Sequence, residues 1–264
     1  MLVIAWKDGD FIPKLHHRNC QIWWAQISDL QPWHFHLLNE EERKKANSFH
    51  HEADRARFVI GCVISRLVLG KHLSVSPLQV PIDRMCPVCK LAHGRPQLPD
   101  GMPQLSVSHS GEYVVVAFTA SAPVGIDIEQ ITSNIDVMNM ATGVLTDTEM
   151  MHVMQLPDEK KIAGFLTYWT RKEAVLKATG EGLMISPTHL TVSAPNDAPK
   201  LLVFKEKSSL LENTVMMEVQ LGLGYIASLA VLNKEITEFQ QRNARSLLYF
   251  YEEERLPIYK SSER

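Results

Sequence analysis

Asp127 and Glu129 stand two residues apart in Val124-Gly125-Ile126-Asp127-Ile128-Glu129, a short segment rich in β-branched residues. Residues i and i+2 of a strand share a face, so both carboxylates point to one place. Two like charges that close repel unless a cation comes between them. Mg²⁺ suits: it is hard, prefers oxygen, and is often held by one or two carboxylates plus substrate phosphate. Gly125 leaves room for another backbone to come close. A solvated strand edge can carry the same acidic pair, so this segment by itself leaves both readings open. A second group, Trp169-Thr170-Arg171-Lys172-Glu173-Ala174-Val175-Leu176-Lys177, sets Trp169, Glu173 and Lys177 on one helical face at i, i+4 and i+8. Glu173 offers a third metal carboxylate, and Lys177 a cation one turn further on, against phosphate. An ordinary Glu-to-Lys surface pair has the same spacing.

These groups need a strand and a helix to hold them, and the pattern supplies both. Gln21–Ile27 reads as a buried strand, Tyr113–Thr119 as a β-branched strand, and Val124–Glu129 as another. From Glu40 to Lys71 the pattern is helical, with Phe58, Cys62, Ser65 and Leu69 recurring every three or four residues. Residues 80–104, dense in proline and glycine, form a loop region. Thr146-x-x-Glu149 has the form of a capping box, and a further helix is predicted from about Glu159 to Thr179, ended by Gly180 and Gly182. Strands are predicted near 189–193, 201–206, 214–220 and 225–232, and the charged tail beyond Lys234 reads as helical. The expected fold is α+β, with two comparable halves, 1–119 and 120–233, and a C-terminal helical tail, 234–264.

The chain has 264 residues, 45% hydrophobic and 22% charged, enough apolar material for a core without disulfide or metal staples. With 27 basic and 30 acidic side chains the formal charge is −3, which argues against a nucleic-acid binder held by its overall field. No apolar run is long enough to span a membrane, and the start lacks a basic n-region before an apolar stretch, so the cytoplasm is the expected location. Cys86-Pro87-Val88-Cys89 with His93 nearby suggests zinc, but a closed site needs four ligands and no second Cys-x-x-Cys exists.

Taken together, Val124-Gly125-Ile126-Asp127-Ile128-Glu129 and Trp169-Thr170-Arg171-Lys172-Glu173-Ala174-Val175-Leu176-Lys177 resemble the paired signature of 4'-phosphopantetheinyl transferases. The match is to their larger, Sfp-type class, in which one chain folds as two similar α/β halves in a pseudo-twofold arrangement. The resemblance implies that Asp127, Glu129 and Glu173 bind Mg²⁺, with Mn²⁺ as an alternative. It implies catalytic roles for Glu173, as base, and Lys177, and coenzyme A contacts for Lys172 and Lys177. Gly94-Arg95-Pro96 is similar to the family's G-[KR]-P turn, making Arg95 and Pro96 cofactor-binding. Ser108-His109-Ser110 is similar to the segment whose serine and histidine contact phosphate; Ser106 stands where that segment begins with asparagine. Glu42-Arg43-Lys44-Lys45 and Arg57 resemble the basic stretch and helix arginine that approach the nucleotide, the contact falling to one or more of Arg43, Lys44 and Lys45, and Glu149 resembles an acidic residue that helps shape the metal site. The implied reaction is attack of a serine hydroxyl on the β-phosphorus of coenzyme A, with adenosine 3',5'-bisphosphate leaving. The implied partner is an apo acyl or peptidyl carrier protein, with no nucleic acid, no membrane and a monomeric state. A non-catalytic module binding coenzyme A or a carrier is the rival, disfavoured by a complete set of carboxylates plus Lys177. A Mg²⁺-dependent nuclease is a second rival, disfavoured by the acidic net charge.

Overall fold

The computed structural model describes residues 12–85 and 94–250. In chain order the main elements are β1 (Asn19–Gln26), α1 (Glu40–Asn47), α2 (Glu52–Leu73), β2 (Gln104–Ser110), β3 (Tyr113–Thr119) and β4 (Val124–Gln130). Next come α3 (Val137–Ala141), α4 (Asp147–Gln155), α5 (Asp158–Thr179), β5 (Leu190–Val192) and β6 (Leu201–Phe204). The remainder are β7 (Val215–Glu218), β8 (Tyr225–Val231), β9 (Glu238–Asn243) and α6 (Arg245–Phe250). One sheet runs β2-β3-β1-β9, a second β4-β8-β7, and β5 and β6 form a small hairpin.

Each half lays one 22-residue helix, α2 or α5, over an antiparallel pair of strands. β3 is buried on both faces, which is why it reads as a continuous β-branched run instead of an alternating one. Val114, Val116 and Phe118 pack under α2, while Val115 and Ala117 turn the other way, onto Ile126, Ile128, Leu229 and Val231 of the second sheet. The order across the molecule is therefore helix, sheet, sheet, helix. On β4 the even-numbered apolar residues face the neighbouring sheet, which leaves Gly125, Asp127 and Glu129 on the side of α5.

Two expectations are corrected. The helical run from Glu40 is broken at Ser48–His51: α1 is capped by Asn39, whose side chain takes the Glu42 N–H, and α2 starts afresh at Glu52. Phe49, in the break, stacks on Phe58 with ring centroids 5.5 Å apart. In the described part of the tail beyond Lys234 only Arg245–Phe250 are helical. Residues 238–243 form β9, parallel to β1 from Asn19↔Glu238 to Trp24↔Asn243, and α6 adds Leu247 and Leu248 to the core beneath α2. β9 holds a single large apolar residue, Phe239, so its strand character comes from pairing and not from periodicity. Cys20 and Cys62 are buried free thiols, while Cys86, Cys89 and His93 lie outside the described residues. Among the described residues no helix is long and apolar enough to cross a membrane.

His34 fastens α6. Its Nδ1 accepts from the Gln31 N–H (3.1 Å), so Nε2 carries the proton and donates to the Leu248 carbonyl (3.3 Å). Burial holds this imidazole neutral down to a pKa of about 4, against partial opposition from the Leu248 carbonyl and Asp29. In the unfolded chain it titrates at 6.5, so between pH 6.5 and about 4 the unfolded state binds more protons and stability falls as pH falls. The loss from this one group approaches about 1.4 kcal/mol per pH unit within that window. Urea unfolding from pH 7.5 to 5 should therefore show a flatter profile for His34→Asn than for the parent; equal slopes would remove His34 as the cause.

Candidate active site

A cleft of about 400 Å³ opens between the halves, within the usual range for small-molecule sites. Its C-terminal wall is Asp127 and Glu129 of β4 with Trp169, Glu173 and Lys177 of α5; its N-terminal wall includes Arg57, Phe58, Arg84, Ser108 and His109. The strand brings its two carboxylates to one face, and the helix lays Glu173 and Lys177 across them. What permits this is Gly125: a Cβ there would sit 1.9 Å from the Ala174 carbonyl oxygen, so strand and helix backbones nearly touch.

The electrostatics are tightly coupled. Lys177 Nζ lies 2.6 Å from Asp127 Oδ1 and also donates to Ser108 Oγ (3.1 Å) and the Ile126 carbonyl (3.2 Å). Glu129 is held at both oxygens, by the Trp169 indole N–H (3.3 Å) and the Ser110 hydroxyl (3.0 Å). Burial, then the neighbouring Asp127, raises the Glu129 carboxyl above its ordinary range. Glu173 is only 8% exposed. Burial pushes its pKa up to about 6; Lys177 pulls the other way, and Asp127 and Glu129 add to the rise. Oδ2 of Asp127 and Oε1 of Glu173 are buried with no hydrogen-bond partner. Among the described residues no three acidic, histidine or cysteine side chains are gathered into a ready-made metal cage, and Lys177 rests on Asp127 as its counter-ion.

The remaining expected site residues are spread more widely. Arg57 lines the cleft, tied to the Gly111 carbonyl (2.7 Å) and Asp54 (2.5 Å). Pro96 lines it too, whereas Arg95 reaches the Lys177 carbonyl (2.6 Å), holding its turn against the C-terminal end of α5. Lys45 borders a side recess with Phe58 and Arg84 and lies over the Phe49 ring. Arg43 is exposed outside the cleft, bonded to the Phe35 and His36 carbonyls.

Lys172 is a correction. It is wholly buried outside the cleft, 2.5 Å from Glu149 and within bonding distance of the Val144 (2.7 Å) and Pro187 (3.0 Å) carbonyls. One residue is about a 100° turn of helix, so the neighbour of Glu173 faces away from it. Glu149 is likewise absent from the cleft lining; besides Lys172 it takes the N–H groups of Thr146 and Val192. Lys172→Met should leave the Glu149 charge buried and unpaired, and destabilise the fold by about 3 kcal/mol. Chemical denaturation checks this; a stable variant with only a weakened coenzyme A KM would restore the cofactor role.

Arg84 was not signalled by the sequence. It stacks over Phe58 (5.5 Å), approaches the Cys62 sulfur (3.3 Å) and lies 3.6 Å from Glu42, itself paired with the buried Arg66. It sits in the irregular stretch after α2, where no period marks a residue.

Residues 22–121 match the family model "4'-phosphopantetheinyl transferase, N-terminal", and residues 123–223 match "4'-phosphopantetheinyl transferase superfamily". The chain belongs to the 4'-phosphopantetheinyl transferase superfamily. Because both models fall in succession on one chain, it is a member of the larger, two-halved Sfp-type class. The 4'-phosphopantetheinyl transferase HetI of Nostoc sp. is 35% identical over 60% of this chain and 65% of its own length. Sfp of Bacillus subtilis is 28% identical over 61% of this chain and 68% of its own. Among solved structures, Helicobacter pylori holo-[acyl-carrier-protein] synthase in complex with coenzyme A is 25% identical, with a TM-score of 0.32 over 41% of this chain and 97% of that one.

Proposed function

We propose that this chain transfers the 4'-phosphopantetheine group of coenzyme A to a serine of an apo acyl or peptidyl carrier protein, releasing adenosine 3',5'-bisphosphate. The observation that supports it most is the meeting of Asp127, Glu129, Glu173 and Lys177 in one cleft between the halves. Phosphoryl transfer asks chiefly for alignment and for positive charge against phosphate oxygens.

The donor set fits Mg²⁺, or Mn²⁺ in its place: three carboxylates, all hard oxygen, two of them with a buried oxygen that spends no lone pair on a hydrogen bond. Asp127, Glu129 and Glu173 would hold the ion, which when bound offsets the charge of the pyrophosphate. The other tasks fall to the chain's own side chains. Lys177 turns from Asp127 to the pyrophosphate and offsets charge on the leaving side. Arg57 and His109, with Arg84 beside them, hold the phosphorylated nucleotide end. Arg95 acts one step back, fixing the turn that sets Pro96 in the wall. Glu173, at the edge of the cleft's carboxylate group, takes the proton from the attacking serine. A monomer suffices, because two halves of one chain complete the cleft.

Intact-mass spectrometry of an apo carrier protein incubated with this chain, coenzyme A and Mg²⁺ tests the reading. The expected result is a gain of about 340 Da, the size of the transferred group, on the carrier alone. No gain across several diverse carriers, with coenzyme A still bound, would make the chain a binding module.

A further inference from the structure

Ser106, Ser108 and Ser110 alternate along β2, so their side chains share one face. That face meets the open edge of β4. The Ile126 N–H donates to Ser106 Oγ (3.1 Å), the Ile128 N–H to Ser108 Oγ (3.3 Å), and the Gln130 N–H to Ser110 Oγ (3.1 Å). Three hydroxyls thus stand where a neighbouring strand's carbonyls would otherwise be needed, and the edge of β4 is satisfied by side chains of the other half. Two rungs do more. The Ser108 hydroxyl donates a hydrogen bond to Asp127 Oδ1 (2.8 Å), and the Ser110 hydroxyl donates one to Glu129 Oε2 (3.0 Å). Beside Ser106 the β4 position is Gly125, which has no side chain to hold.

We propose that Ser108 and Ser110 are positioning residues: each uses one hydroxyl to lock the β4 backbone and, at the same time, the direction of the carboxylate next to it. A hydroxyl has one proton and two lone pairs, and Ser108 uses all three, since it also accepts from Lys177 (3.1 Å). In this resting arrangement its proton is committed to the carboxylate. The second grip on Glu129, from Trp169, leaves Ser110 as the group that fixes its other oxygen. As far as it concerns metal binding, the proposal rests on the reading given above.

The ladder contains its own control. Ser106→Ala and Ser110→Ala each remove one hydroxyl from one β4 amide, but only the second frees a carboxylate. Two measurements are made on the parent, both alanine variants and Ser110→Thr. In metal-free protein, three-bond couplings report the χ1 rotamer of Glu129; with coenzyme A present, a Mn²⁺ titration followed by electron paramagnetic resonance reports affinity. Ser110→Ala is expected to average the couplings and weaken Mn²⁺ at least about tenfold, as lost outer-shell partners do. Ser110→Thr should restore both, and Ser106→Ala should match the parent in both despite its lower melting temperature. Parent-like couplings and affinity in Ser110→Ala would overturn the proposal and leave the serines as a joint between halves. A parent with a fixed Glu129 rotamer that is lost only in Ser110→Ala, yet with no Mn²⁺ bound, would uphold the positioning and defeat the metal reading.

Discussion

Asp127→Asn should reduce phosphopantetheine transfer by on the order of a thousandfold while the protein stays folded. The substitution keeps Oδ1 as an acceptor for the Ser108 hydroxyl and changes the shape of the side chain hardly at all. What it removes is charge. On the proposed mechanism a hard divalent ion loses one of three anionic ligands, and Lys177 loses the partner 2.6 Å away that sets its resting position. A loss of several kcal/mol of transition-state stabilisation is the expected scale, and each 1.36 kcal/mol is about a factor of ten in rate. Single-turnover transfer at saturating coenzyme A, compared at rising Mg²⁺, measures it. A variant with the parent's rate at every Mg²⁺ concentration would remove Asp127 from the metal site.

The second large effect needs no chemistry at all. Gly125→Ala should destabilise the fold by more than about 3 kcal/mol, the upper end for overpacking, because the new methyl meets backbone and not a movable side chain. Its Cβ would fall 1.9 Å from the Ala174 oxygen and 2.5 Å from the Ala178 nitrogen. The only relief is for α5 to withdraw from β4. Those two elements carry Asp127, Glu129, Glu173 and Lys177, so whatever protein does fold should lose activity out of proportion to its lost stability. Urea unfolding and soluble yield decide the first point; a change within 1 kcal/mol would mean that strand and helix are not in contact at Gly125.

Much of this was legible because the C-terminal half declares itself by period. β4 is rich in β-branched residues and β8 is largely apolar, α5 has a steady apolar face and a glycine stop, and the acidic pair sits two apart on a strand. Spacing tells which residues share a face of one element, but not which face meets which neighbour. That is why the motif does not show where Lys172 lies: it adjoins Glu173 in sequence, yet the helix turns it toward Glu149. It is also why Arg84 went unmarked, being set by tertiary packing over Phe58. β9 was hidden for another reason, since a polar edge strand gets its shape from hydrogen bonds to β1 and leaves no hydrophobic trace. The serine ladder had a trace. Ser-x-Ser-x-Ser and Gly-x-Asp-x-Glu are both period-two patterns, and only their register across the two halves was invisible.

The pairing of β9 with β1 has a bearing on how the molecule is made. During synthesis the residues of β1 emerge well before Glu238–Asn243 and wait for them, so the first sheet cannot finish until β2 to β8 and the helices between them have been made. Contacts of such sequence separation are slow to close and leave a bare edge in the meantime. Cutting the chain in the turn between Thr119 and Val124 would accordingly yield one fragment lacking its last strand and another trailing it. Two halves that look separable side by side are, in the order of their making, a single stitched piece.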